Sequence, residues 1–234
     1  MQSVKVMKRV KSPTKRFDDA CGTAHGLELV GERWALLVLR ELMLGPRRFS
    51  QLRGDLPGIS ANVLTQRLGE LEARGLLVRR KLPPPAAVHV YELTAWGYEA
   101  EEIVQVLGRW AARSPMHDPR LPISGVSILL SFRTMIDRAL ARGTDMRVGF
   151  RFGDDEYLAH VHDGEIDVAR GLADEGELVF AGKPAGVAAA IYGDVPLDEL
   201  EAAGLLRVTG DRNLFALFSA LFTLPPKAEM PHAA

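Results

Sequence analysis

Asn62 and Gln66 stand four residues apart in a run whose Leu64, Leu68 and Leu71 recur at i, i+4 and i+7. In a helix that spacing gathers the leucines into one buried stripe and leaves the two carboxamides on the opposite face. A carboxamide presents a donor and an acceptor side by side, the pair that fits the edge of adenine in a DNA major groove. Arg79, Arg80 and Lys81 place three cations in a row just before Pro83-Pro84-Pro85-Ala86-Ala87, where they would lie near phosphates. Six more cations, Lys5, Lys8, Arg9, Lys11, Lys15 and Arg16, fall in the first 16 residues without a single acid. Such a block reads as a disordered arm whose partner is a polyanion.

Other chemistry is thin. His160 and His162 share one strand face at i and i+2, but no third metal ligand is evident, so they read as a solvated or hydrogen-bonded pair. Asp154-Asp155-Glu156 reads as a solvated turn. There is no phosphate-cradling glycine loop, no nucleophile elbow and no cysteine pair, so no enzyme activity, cofactor or metal is expected. The lone Cys21 forbids an intrachain disulfide and, with no basic-then-apolar leader at the start, points to a reducing cytoplasm. The apolar runs fall short of the roughly 20 residues that a membrane helix needs.

The elements that must position these groups come from 234 residues, 47% hydrophobic and 25% charged, enough for one or two domains with a real core. Residues 1–116 carry 18 Lys and Arg against 12 Asp and Glu, net +6, whereas residues 117–234 carry 11 against 18, net −7. Three prolines in residues 114–122 mark a stiff linker between the halves, and residues 225–234 read as a loose tail. In the first half, helices are expected over 24–30 and 34–43. A short one over 51–56 follows, capped by Ser50, and then one over 61–74 capped by Ser60 and closed by Gly75. Strands over 76–81 and 88–93 then flank a hairpin tip at 83–87. Helix, tight turn, helix and winged hairpin together describe a winged helix-turn-helix, whose second helix enters the major groove. A last helix begins at Thr94 and shows Trp96, Ala100, Ile103, Leu107 and Trp110 at helical spacing, an expected dimer interface.

The run Gly31-Glu32-Arg33-Trp34, then LLVLRELMLGPRRFSQLR, LPGISANVLTQRLGELEARGLLVRR and VYELTAWG resembles the HxlR family of bacterial winged-helix transcription regulators, relatives of the MarR type. The resemblance covers residues 17 to 113. It implies a cytoplasmic, homodimeric regulator that binds a pseudo-palindromic operator in double-stranded DNA, with 60–74 as recognition helix and 83–87 as wing tip. Ser60, Asn62, Thr65, Gln66 and Arg67 fall where the family contacts DNA, and Ser50, Arg79, Arg80, Lys81 and the arm complete the expected DNA-binding set. Asn62 and Gly69 stand where relatives often carry Lys or Arg, so the arm or the strand pair would supply more of the phosphate affinity. Cys21 matches a cysteine that some members use as an oxidant-sensing thiol. Asp18 and Asp19 oppose a thiolate and Gly22 replaces the usual proline, so a passive packing role is expected.

The second half, residues 123–224, reads as α+β: a helix over 124–142, then strands over 146–152, 157–162, 166–169 and 178–181, with Asp163-Gly164 as a hairpin turn. Helices over 184–192 and 197–203 and an edge strand over 205–209 follow. The expected result is an antiparallel sheet with flanking helices. The last helix, with Leu214, Phe215, Leu217, Phe218, Leu221 and Phe222, is too apolar for a narrow stripe, so burial on most sides or a cavity lining is expected. The order of elements, with LVFAGKPAGVAAAIYGD and LRVTGDRNLFALFSALF, resembles the sterol-carrier-protein type of lipid-binding fold. That resemblance implies an apolar small-molecule effector, with Phe150, Phe152, Phe180, Tyr192, Phe215 and Phe218 as cavity walls. Two other readings remain: a lipid or sterol carrier whose winged half only dimerises, and a second domain that serves assembly without a ligand.

Overall fold

The computed structural model describes residues 17–229; the basic arm at residues 1–16 and residues 230–234 lie outside it. The chain forms two compact units. One takes in the described residues up to Leu42 with Pro46–Ala100, and the other Met43–Gly45 with the described residues from Glu101 onward. The division therefore falls inside a helix rather than in the proline-rich 114–122 segment.

The first unit contains α1 (Gly22–Val30), α2 (Ala35–Leu42), α3 (Phe49–Asp55), α4 (Ala61–Ala73), β1 (Leu77–Lys81), β2 (His89–Leu93) and the start of α5 (Ala95–Ala112). Its core joins Val38, Leu39 and Leu42 of α2 with Leu52 of α3 and Leu64, Leu68 and Leu71 of α4, none more than 1% exposed. Each such leucine contributes about 1.5 to 3 kcal/mol on leaving water. α4 begins where it does because Ser60 Oγ accepts from the Val63 amide at 3.2 Å. It stops because Gly75 takes φ +77°, a left-handed turn that lets the Leu76 amide reach back to the Leu71 carbonyl at 3.0 Å and sends the chain straight into β1.

Ser50 does not cap α3. The helix starts two residues earlier, at Phe49, and Gln51 Oε1 accepts from the Arg48 amide at 2.9 Å, leaving Ser50 exposed in the first turn. β1 and β2 pair antiparallel from Leu77↔Leu93 to Lys81↔His89, and Arg47 adds a bridge to Tyr91. Thr94 Oγ1 accepts from the Gly97 amide at 3.0 Å and donates to the Gly75 carbonyl at 2.8 Å, so one hydroxyl both starts α5 and ties it to the end of α4.

The second unit continues with α6 (Gly125–Met135), β3 (Met146–Phe152), β4 (Asp155–His162), β5 (Glu165–Arg170), a 3-10 turn (Ala173–Glu175), β6 (Leu178–Gly182), α7 (Pro184–Tyr192), α8 (Leu197–Ala202), β7 (Leu206–Gly210) and α9 (Leu214–Ala220). The sheet order is β5-β4-β3-β6-β7. An entirely antiparallel sheet is corrected here, because β6 pairs with β3 in parallel. After β5 the chain crosses over to the far side of β3 through the 3-10 turn. A Cβ on Gly149 would meet the Ala173 carbonyl oxygen at 1.9 Å, so the crossover needs glycine at this point of β3.

α6 ends at Met135, well short of Arg142. Asp137 accepts from the amides of Ala139 and Leu140 at 2.9 and 3.1 Å, and its own amide donates to the Leu221 carbonyl at 2.8 Å. This side chain offers the backbone an alternative to the helix, and Leu140 is left exposed. α9 is one-sided rather than buried all round: Phe218 and the following Leu221 and Phe222 are buried, while Ala216 and Leu217 face solvent.

Candidate nucleic-acid interface

α4 presents Asn62, Thr65 and Gln66 on one exposed face, with Gly69 and Ala73 continuing it. The buried leucines opposite fix that face by the helical period. Thr65 Oγ1 donates to the Ala61 carbonyl at 2.9 Å, and Gln66 Nε2 donates to Glu70 Oε1 at 2.9 Å. Ser60 is exposed as well, with its hydroxyl occupied in the cap. The helix N-terminus beside these side chains carries the positive end of the macrodipole, which favours an anion there.

Arg67 is not part of this face. It is 6% exposed, its guanidinium 2.7 Å from Glu70 and 3.4 Å from Glu32. Lying at i+3 from Leu64 and next to Leu68, it sits on the flank that turns inward, and Glu70 three residues on is the sequence signal for its engagement. Along the hairpin, Arg79 and Lys81 are exposed at the root of the 83–87 tip. Arg80 pairs with Glu92 on the opposite strand, an exposed ion pair of the kind worth about 1 kcal/mol or less. The six arm cations named from sequence fall outside the described residues.

Cys21 precedes α1 and is exposed among the described residues, where a packing role was expected. Its thiol lies below the usual range because the amides of Thr23 and Ala24 at the helix start favour the thiolate.

On α5 the exposed apolar side chains fall in two places. In the first unit Trp96 is half exposed. In the second, Ile103, Val106, Leu107 and Trp110 recur at i, i+3, i+4 and i+7, with Trp110 70% exposed. Val106 was not singled out from sequence. Ala100, at 6%, is buried and drops out of the expected interface.

Phe150, Phe180 and Phe218 of the second unit have no exposed surface, while Phe152, Tyr192 and Phe215 are half-buried. Phe132 of α6 and Phe222 were missed as members, yet Phe132 lies at the centre, 4.6 Å from Phe222, 5.5 Å from Phe218 and 5.7 Å from Phe150 between ring centroids. Its spacing from Ile128 and Leu129 was the available signal. The polar group at this cluster is the Tyr192 hydroxyl, 2.8 Å from Ser131 Oγ and pushed up in pKa by burial.

The opposite, polar face of the sheet carries His160 and His162. His160 Nε2 lies 2.8 Å from Asp145, whose carboxyl is held low by that bond, and His162 Nε2 lies 3.0 Å from Asp167. Asp167 and Asp163 raise the His162 pKa above its ordinary value. Among the described residues no three His, Cys, Asp or Glu side chains are placed to hold a metal, and no helix is long and apolar enough to cross a membrane.

Residues 29–118 match the family model for an HxlR-like helix-turn-helix. Over 84 residues the chain is 40% identical to an uncharacterized HTH-type transcriptional regulator, sll1512, of Synechocystis, spanning 36% of this chain and 62% of that protein. It is 38% identical over 99 residues to YkvN of Bacillus subtilis, another uncharacterized HTH-type transcriptional regulator, covering 41% of this chain and 80% of YkvN. The HTH-type transcriptional regulator YodB of the same bacterium is 36% identical over 83 residues, 36% of this chain and 74% of YodB. The solved structure of reduced YodB aligns over 43% of this chain and all of its own, with 31% identity and a TM-score of 0.38.

Proposed function

Because the chain belongs to the HxlR-like helix-turn-helix family of DNA-binding transcription regulators, we propose that it binds a pseudo-palindromic operator in double-stranded DNA as a cytoplasmic homodimer without enzyme activity. The observation that carries this reading is the exposed Asn62, Thr65 and Gln66 face of α4 beside the Arg79 and Lys81 hairpin. α4 lies in the major groove, its carboxamides on base edges, with the hairpin and the arm on phosphates. The apolar stripe of α5 joins two copies, which places the two α4 helices about one DNA turn, roughly 34 to 36 Å, apart.

The second unit is proposed as a sterol-carrier-like domain for an apolar small-molecule effector. Support comes from the aromatic cluster around Phe132 and the Ser131–Tyr192 hydroxyl pair, which could meet one polar group of such a ligand. An effector acts on DNA binding only through different affinity for two arrangements of the dimer, and about 1 to 3 kcal/mol of coupling changes operator affinity 5- to 150-fold. A carrier that used its first unit only to pair copies would have no use for a polar, cation-flanked α4 face.

A mobility-shift titration with DNA from immediately upstream of the coding sequence tests the reading. Retardation that weakens steeply with added salt, as released counterions demand, is the expected result. Failure to retard this or any other duplex at micromolar protein and low salt rejects it.

A further inference from the structure

In an α-helix the last carbonyls lack helical amide donors and need partners from elsewhere. At the end of α5 the Trp110 and Ala111 carbonyls take the amides of Arg113 and Ser114 at 3.2 and 2.9 Å, while the carbonyls of Ala112 and of the next two residues find partners at the far end of the chain. The Ala228 amide donates to the Arg113 carbonyl at 2.7 Å, and Lys227 Nζ donates to the carbonyls of Ala112 and Ser114 at 3.0 and 3.2 Å. In return Arg113 Nε donates to the Pro226 carbonyl at 3.3 Å. Residues 223–229 have no regular secondary structure of their own, so this is a strand of irregular chain held on a helix end by four hydrogen bonds. A cation at this position also meets the negative end of the helix dipole.

The same segment is rooted in the aromatic core. Phe222, five residues before Lys227, packs on Phe132 and Phe218 and bridges Ile136. From the other side of that core, Arg133, the residue after Phe132, holds Glu101 of α5 with both carboxylate contacts at 2.7 and 2.9 Å, and Arg109 donates to the Thr134 carbonyl at 3.1 Å.

We propose that residues 223–229 are a clip that caps α5 and, with Arg133, transmits the packing of the aromatic core to the C-terminal part of that helix. A change in the core that moves Phe222 loosens the clip, and the last turn of α5, which bears the exposed Trp110, frays. That this alters the joining of copies rests on the reading of α5 as the dimer helix; the clip itself does not.

Amide hydrogen exchange on the full chain tests it with three variants. Lys227→Ala is expected to speed exchange at residues 110–114 about three- to tenfold, and Lys227→Arg, which keeps a cationic donor, to leave it unchanged. Phe222→Leu, a substitution in the core and not in the cap, is expected to speed the same amides while those of β3 and β4 keep their protection. Unchanged exchange at 110–114 in Lys227→Ala overturns the clip. Faster exchange in Lys227→Ala with none in Phe222→Leu overturns its coupling to the core. Exchange reads the clip in monomer and dimer alike, so light scattering on the same samples reports separately whether α5 joins copies.

Discussion

Arg67 and Gln66 are neighbours in sequence with opposite fates, and the difference is electrostatic. Gln66 projects into solvent, whereas Arg67 is drawn inward by Glu70 and Glu32. Arg67→Ala takes one cation from Glu70, which keeps Gln66 and Arg74 beside it, and empties a well-packed flank of α4, so a loss of about 1 to 3 kcal/mol in denaturant unfolding is expected with base preference intact. Gln66→Ala is expected to leave stability within about 0.5 kcal/mol and to cost about 1 to 3 kcal/mol on the operator alone. Titrations on operator and random DNA separate the two. The period of the leucines was enough to read which α4 side chains are outside; for Arg67 the local signal was Glu70 at i+3, while the second contact, to Glu32 35 residues earlier, is long-range. Burial of Ala100 and exposure of Cys21 were hidden for the same reason, since neighbours distant in sequence decide both.

His162 allows a second residue-scale test. Asp167 and Asp163 raise its pKa, so its ion pairs stabilise the fold fully below the ordinary pKa near 6.5, and that contribution disappears as pH rises through the folded value. Asp167→Asn is expected to bring the His162 pKa, followed by NMR, back toward 6.5 and to remove the extra stability at acid pH. A His162 titration that does not move in this variant contradicts the assignment.

Among the elements, those built from local signals were legible. Ser60 and Gly75 bound α4, Asp163-Gly164 turns β4 into β5, and Pro184 opens α7, because each depends on residues a few positions apart. The α6 end and the parallel β3–β6 pair were not, because Asp137 stops the helix with help from Leu221 and the crossover is a long-range choice. The crossover predicts that Gly149→Ala, forced against the Ala173 carbonyl, destabilises the second unit by about 1 to 3 kcal/mol, seen as an earlier unfolding transition. For α5, the stripe of Ile103, Val106, Leu107 and Trp110 predicts that Leu107→Glu yields a folded monomer by light scattering at a concentration where the parent chain is dimeric. A dimer that survives this change places the interface elsewhere.

At the scale of the whole molecule, the two halves of the sequence carry opposite charge: 18 Lys and Arg against 12 acids in residues 1–116, and 11 against 18 in residues 117–234. The positive half carries the helix-turn-helix and is drawn to any duplex by phosphate charge, a sequence-independent attraction that salt weakens. In the proposed reading, specificity comes from the α4 face and from two copies reading two half-sites. The negative half, by its charge, adds nothing to that attraction. The most direct measurement is therefore the affinity of the full chain for its own upstream duplex against a shuffled duplex of equal length and composition, at one fixed salt concentration. The account predicts a preference of about a thousandfold or more for the upstream duplex; equal affinity for the two would contradict it.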